Sequence, residues 1–504
     1  MRIKQKKITL MLQATQSNAG KSLIAAALLR ALTRRGLSCA PFKPQNMSTN
    51  AAVTPEGHEI SRAQALQAHA ANINPHHTMN PILLKPQGDQ TSHVIINGHY
   101  HHTTNAQTWM AQRKRFMPDI LNAYKDLKKH YDIIIVEGAG SPVEKNLPPP
   151  DIANMAFALE TQTPVILIAD IESGGTLAHI IGTYTLLTPP ERTLVKGYII
   201  NKFRGDINIL QPAFPIIHQH TNLKCLGTLP YHPAALKLPV EDSLALSRRA
   251  RSPRRAQTSS PSSPSSPLRI VIPLTPHLAN SDDIEPLRLH PNVHVCLAPA
   301  GAPLPAGDIL LLLGSKAVLR DLAFIKEQGW HIDIAYHHRL KKPILGLCGG
   351  YQLLGKTIND PDGIEGIKGK HPALSLLNVH TRLNHAKTLT RTTSRHVATQ
   401  QTVSGYEIHI GTTTGTDTSK PMLAPSPSPT PHNHGDGGAS SPCGTIQGCY
   451  MHGIFTNDGF RSAYLNTPNT TPYHSQLQHN LDALADMVEH TIDIDALLAM
   501  SHTP

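Results

Sequence analysis

Three short apolar runs, Ile133–Val136, Val165–Ala169 and Val195–Ile200, dictate most of what the first half of this chain can become. Each is rich in β-branched or aliphatic residues and lacks the polar alternation of a strand with one wet face. Such strands must be covered on both faces, which a parallel sheet packed between helices achieves. Ile8–Gln13 predicts a further strand, and Lys21–Arg35, ending at Gly36, predicts the helix after it. The alternation implies an α/β domain. It restarts at Leu268, where Asp308–Leu313 and Pro343–Leu347 read as buried strands and Ala317–Gln328 as a helix between them. Ser252–Pro267 separates the halves; its repeated Ser-Pro cannot bury enough surface to offset ordering entropy. The expected organisation is an α/β domain over 6–240, a disordered Ser/Pro/Arg linker over 241–267, a second α/β domain over 268–465 and a helical segment over 466–504. A Ser-, Pro-, Gly- and His-rich stretch at about 416–441 is expected to be a solvated surface insertion in the second domain.

Bulk properties narrow the function. A chain of 504 residues has room for two or three cores. Its formal charge of +11 suits an anionic ligand, although Arg248, Arg249, Arg251, Arg254 and Arg255 place part of it near the linker. Neither an RNA-binding aromatic motif nor zinc-finger spacing accompanies that charge, so nucleic acid is not the expected partner. Six scattered cysteines without a C-x-x-C pair imply a reduced, cytoplasmic setting. The basic start leads into a strand rather than a signal-peptide core, and no apolar run approaches the ~20 residues of a membrane span.

Two motifs carry chemistry. Gly346-Leu347-Cys348-Gly349-Gly350 joins a buried strand to a helix-like segment, a nucleophile elbow with Cys in the Ser position. Small neighbours permit the sharp turn, and the helix N-terminus favours thiolate and offers N–H groups to an oxyanion. Gly349 and Gly314, the latter closing another buried strand, are the candidate oxyanion donors. His452, within Met451-His452-Gly453, is the candidate base for Cys348. The second motif, Ala14-Thr15-Gln16-Ser17-Asn18-Ala19-Gly20-Lys21-Ser22, follows the first strand and opens a helix, the setting of a phosphate loop. Thr15 stands where the strict pattern has its first Gly. Backbone N–H groups from Thr15 to Gly20 would cradle phosphates, Lys21 would offset their charge and Ser22 would ligate Mg²⁺. Lys43 falls near the same end of the sheet. Glu137, closing a buried strand before Gly138, can hold the metal or its waters.

The Cys348 and His452 segments resemble class I glutamine amidotransferases of the corrinoid amide synthase type. That resemblance implies attack of the cysteine on a glutamine amide, release of ammonia and hydrolysis of the thioester. The wider class has an acid two residues after the histidine; here that residue is Ile454. With Pro41–Asn50, Glu59–Gln64, Asn80–Pro86, Glu137–Pro142, Asp151–Met155, Asp170–Gly175 and Ile200–Asp206, the chain resembles the cobyric acid synthase family from about Ile8 to Glu241 and from about Leu268 to Phe460. Ser173 replaces an arginine usual there. The resemblance implies a dethiobiotin synthetase-like ATPase domain joined to the amidotransferase domain. It implies ATP, Mg²⁺ and glutamine as reactants, and a corrinoid polycarboxylate amidated at four positions, with Gln45, Asn46, Asp151 and Asn154 as substrate-side candidates. Three rival readings remain: a related ligase acting on another polycarboxylate, a nucleotide-switch ATPase with an inert amidotransferase-like domain, and a corrinoid-binding module without catalysis.

Overall fold

The structure is a computed structural model describing residues 7–87, 91–147, 151–239, 267–425, 436–468 and 471–500. Apart from Pro267, the expected linker lies outside the described residues.

The apolar runs become the centre of a six-stranded parallel sheet. Its strands, in spatial order, are Cys225–Pro230, Val195–Phe203, Val165–Asp170, Ile8–Ala14, Ile133–Glu137 and Cys39–Phe42. Two-sided burial follows from the strand period of two. Leu10, Leu12, Ile133, Ile135, Ile166 and Ile168 face one core, whereas Met11, Ile134, Val136, Val165 and Leu167 face the other. The helix Lys21–Arg34 covers the first face. A separate four-stranded sheet, containing Gln45–Met47 and Ile82–Gln87, lies beside this unit.

The second half repeats the architecture. Val293–Ala298, Leu268–Pro273, Ile309–Leu312, Ile344–Leu347 and Ile446–Cys449 form a parallel sheet, with Ala439–Ser440 antiparallel at the edge. The predicted helix spans Val318–Glu327, and a second helix, Trp330–Arg339, follows it before the next strand. A long hairpin of Val379–His396 and Thr402–Gly415 builds a further sheet, to which Met451–His452 adds an edge, placing Tyr406 opposite His452.

One feature departs from expectation, and the structure adds a second that no local pattern addressed. The flanks of the 416–441 stretch are built into the fold: Leu423–Pro425 pairs with the long hairpin, Ala439–Ser440 pairs with Ile446–Cys449, and Asp417 is buried. Residues 426–435 lie outside the described residues. The C-terminal helical segment packs on the first half. Its helix, Tyr473–Thr491, buries Leu481, Leu484, Ala485 and Val488 against Lys21–Arg34 and adds the ion pairs Arg30–Asp482 and Arg34–Asp486. Among the described residues no helix is long and apolar enough to cross a membrane.

Candidate active sites

The phosphate-loop candidates converge at the C-terminal ends of the first sheet's strands. Gly20 caps the helix Lys21–Arg34 at φ 101°, and a Cβ there would stand 2.2 Å from the Asn201 amide. That amide donates to the Ala19 carbonyl at 2.8 Å, and Lys202 reaches both the Asn18 carbonyl and Asp170. The loop is therefore tied down by the turn after Val195–Phe203. Lys21 is buried and donates to the Gly140 carbonyl at 3.0 Å. Thr15 Oγ1 is buried without a hydrogen-bond partner among the described residues. Ser173 donates to Asp170 and accepts from Gln16 of the loop, both at 3.3 Å.

Glu137 is the hub of this site. Its Oε1 accepts from Ser22 Oγ at 2.7 Å and from Lys43 Nζ at 2.7 Å, and its Oε2 accepts from Gln67 at 2.6 Å. Ser22 and Glu137 together offer hard oxygen donors of the kind Mg²⁺ takes. Lys43 neutralises the buried carboxylate, which otherwise costs several kcal/mol to bury (roughly, for one ion). Asn46 donates to Gln64, which contacts Glu137 in turn at 3.4 Å. Gln64 and Gln67 sit three apart on the helix Arg62–Ala70, a buried amide stripe on an alanine-rich face. That spacing was the available sequence signal for Gln67, and it was missed. Gln45 lies on the strand Gln45–Met47, with its Oε1 buried.

Asp151 and Asn154 lie in one hydrogen-bonded stretch beside the Gly138–Ser141 turn. Asp151 accepts from the backbone N–H groups of Ala153 and Asn154, and burial raises its pKa against those bonds. Asn154 accepts from the Ala139 N–H and donates to the Ala139 carbonyl. Asn154 thereby braces the Gly138–Ser141 turn that receives Lys21, and Asp151 holds the Asn154 backbone in place.

The elbow has the strained form its sequence demands. Cys348 has φ 52° and ψ −109°, between the strand Ile344–Leu347 and the helix Gly349–Leu354. A Cβ on Gly350 would lie 2.1 Å from the Leu312 carbonyl, and one on Gly349 2.6 Å from the Ser315 nitrogen. A Cβ on Gly314 would lie 2.9 Å from His452 Cε1. Cys348, His452, Gly349 and Gly314 thus gather around the Gly314–Ser315 turn. Cys348 Sγ contacts the Ile408 carbonyl at 3.6 Å, and His452 Nε2 meets Asn280 Nδ2 at 3.5 Å. Burial pushes the Cys348 thiol up to about 11, with Lys316 and the Gly349 N–H pulling the other way. Burial, Lys316, His409 and Lys85 push His452 down to about 3. Both groups are neutral at rest.

Lys316 belongs to a charge cluster that joins the halves. Glu59 hydrogen-bonds Lys85 of its own half and Lys387 of the other. Burial opposes the Glu59 charge, but Lys387, Lys85 and Lys316 together hold its carboxyl below the usual range. Burial, Lys85 and Lys387 lower Lys316 well below the ordinary lysine value. A cavity of about 950 Å³ also lies between the halves, lined by Arg62, Asp282, Tyr406 and Tyr473 but by neither Cys348 nor Lys21.

Known proteins carry the same pairing of units. The family description "CobQ/CobB/MinD/ParA nucleotide binding domain" matches residues 10–245, and "CobB/CobQ-like glutamine amidotransferase domain" matches 269–460. A cobyric acid synthase of Bradyrhizobium diazoefficiens is 44% identical over 98% of this chain and 99% of its own length. That of Cereibacter sphaeroides is 42% identical over 97% of this chain and 99% of its own, and that of Paracoccus denitrificans 42% over 98% and 99%. Nucleotide-binding and amidotransferase units in one chain, alike along their whole length to these enzymes, place the chain in the cobyric acid synthase family.

Proposed function

We propose that this chain amidates the b, d, e and g carboxylates of adenosylcobyrinic acid a,c-diamide, using ATP and glutamine, to give adenosylcobyric acid. The observation that supports the reading is the pairing of two chemically opposite clusters in one molecule: a charged cluster around Glu137 beside the phosphate-loop sequence, and a strained cysteine elbow with His452 nearby.

At the elbow, Cys348 passes its proton to His452 as Sγ bonds to the side-chain carbonyl carbon of glutamine. N–H groups at Gly349 and the Gly314 turn face the oxygen that becomes negative. The C–N bond breaks, the leaving nitrogen takes the proton from His452, and ammonia departs. Water then cleaves the thioester to glutamate and restores the thiol. In the first half, a substrate carboxylate attacks the γ-phosphorus of ATP, ADP leaves, and an acyl phosphate results. Ammonia displaces phosphate to form the amide. Lys21 and the loop N–H groups stabilise the charge moving between phosphoryl oxygens. Ser22 and Glu137 would hold Mg²⁺, which when bound supplies further charge neutralisation at the phosphates. The rival ATPase with an inert partner domain is disfavoured by the intact Cys348 and His452.

The test is incubation with adenosylcobyrinic acid a,c-diamide, ATP, Mg²⁺ and glutamine, followed by product mass. Four successive amide-for-acid mass changes are expected; an unchanged substrate with a folded protein would rule the assignment out.

A further inference from the structure

His452 lacks the acid that orients such a histidine elsewhere in the class: Ile454 fills that position, buried and apolar, and His452 Nδ1 is buried with no hydrogen-bond partner among the described residues. What holds the ring is one segment, Asn280–Asp283, and the side chain it supports. Asn280 Nδ2 approaches Nε2 at 3.5 Å; an amide nitrogen only donates, so this contact favours the tautomer whose Nε2 carries no proton. Asp283 accepts from the N–H groups of Gly453 and Phe455, both at 2.9 Å, fixing the turn that follows the histidine. Asp282 accepts from Tyr406 OH at 2.6 Å, and the Tyr406 ring stacks on His452 at 5.4 Å and 24°.

That segment is gripped from the other half of the molecule. Asn280 N–H donates to Asn50 Oδ1 at 2.9 Å, and Ala51 N–H returns a bond to Asn280 Oδ1 at 3.1 Å. Asn280 sits at φ 52°, a conformation that this reciprocal clasp helps to maintain. Arg62 pairs with Asp282 at 2.9 Å, and Tyr406 OH also contacts the Ala51 carbonyl. Arg62 opens the same helix that carries Gln64 and Gln67 to Glu137. The contact chain therefore runs from the phosphate-loop site, along one short helix, to the ring of the proposed base.

We propose that the N-terminal half positions the base of the amidotransferase site: Asn50 and Ala51 clasp Asn280, and Arg62 anchors Asp282 and Tyr406, so His452 is held for proton transfer only while the two halves are docked. These are positioning residues that act through His452. The inference rests on the glutaminase reading above.

The experiment uses the full chain and measures glutaminase turnover, ammonia-dependent ATP hydrolysis with the corrinoid, and thermal melting. Asn280→Ala and Arg62→Ala are expected to lower glutaminase kcat about 10- to 100-fold, with KM for glutamine changed less than about twofold and ammonia-dependent turnover retained. Arg62→Lys should recover part of the loss, and Asn50→Asp, which keeps the acceptor for the Asn280 N–H, should be milder than Asn50→Ala. Folded variants with glutaminase kcat within twofold of the parent would overturn the proposal, as would a loss confined to KM. If Asn280→Ala does not fold, the Asn50→Asp and Asn50→Ala pair decides: equal kcat in both refutes the clasp. Cys348→Ala is the separate control, because glutaminase activity surviving in it would defeat the underlying reading instead.

Discussion

The two sites solve the problem of buried charge in opposite ways. Around Glu137, every charge is already present and answered: Lys43 and Ser22 bind one oxygen, Gln67 the other, and Lys21 rests on the Gly140 carbonyl. Around Cys348, burial favours the uncharged thiol, and burial with Lys316, His409 and Lys85 disfavours a positive charge on the His452 imidazole. The first arrangement suits a polyanion, whose phosphates can exchange for partners already in place at little reorganisation. The second keeps the nucleophile quiet until a substrate amide enters and a developing oxyanion rewards the charge separation. An idle phosphate site is harmless, whereas an idle thiolate would be oxidised or alkylated.

The sharpest way to break that comparison is to remove one centre at a time. Lys21→Ala should abolish amidation with either glutamine or ammonium salts, because both routes need the acyl phosphate; ammonia-dependent turnover near the parent level would refute the phosphate-loop assignment. Cys348→Ala should abolish the glutamine route, by a factor of about 10³ or more, and leave the ammonium route intact. Loss of both routes in a folded Cys348→Ala protein would mean that the sites are not separable.

Legibility in the sequence followed the range of the interactions involved. The apolar runs and their turns are local, and Ile133–Glu137, Val165–Asp170 and Ile344–Leu347 formed within a residue or two of the expected limits. The elbow was equally visible, since its glycines are required by contacts that any such turn makes. Gln64 and Gln67 left only a faint trace, two amides on an otherwise small-residue helix face. Asn280-Ser281-Asp282-Asp283 reads locally as the turn before the helix Ile284–Leu289, yet all four residues are buried. Their meaning depends on Asn50, Arg62, Tyr406 and Gly453, which are distant in sequence, and a single chain offers no pattern that links them. The docking of Tyr473–Thr491 was hidden for the same reason: its apolar stripe shows a helix but not which face receives it.

That docking makes the two halves unequal in what stabilises them. Leu481 is fully buried in the core shared with Lys21–Arg34. Leu481→Ala should destabilise the N-terminal unit by about 2–5 kcal/mol, visible as an earlier loss of nucleotide-dependent protection from proteolysis in that unit. If cleavage accelerates only within 268–465, the helix is not supporting the phosphate-loop domain.

The smallest effect expected concerns acid. His452 is held near 3 in the fold by burial, then by Lys316, His409 and Lys85, and returns to its ordinary value of 6.5 when unfolded. Below that ordinary value the unfolded chain takes up a proton that the folded chain refuses. The stability contribution is therefore whole above it and falls as pH drops toward the folded value. His93, also lowered to about 3 by burial and by Lys316, Lys387 and Lys85, adds to the same slope. Between about pH 7 and about pH 5, one such histidine should cost roughly 1–2 kcal/mol. Urea unfolding of the parent and of His452→Gln at the two pH values isolates its share: the parent should lose that much more stability than the variant. Equal losses would show that His452 accepts a proton in the folded state, and with that the contrast between a charged site and a neutral one would fail at its most buried residue.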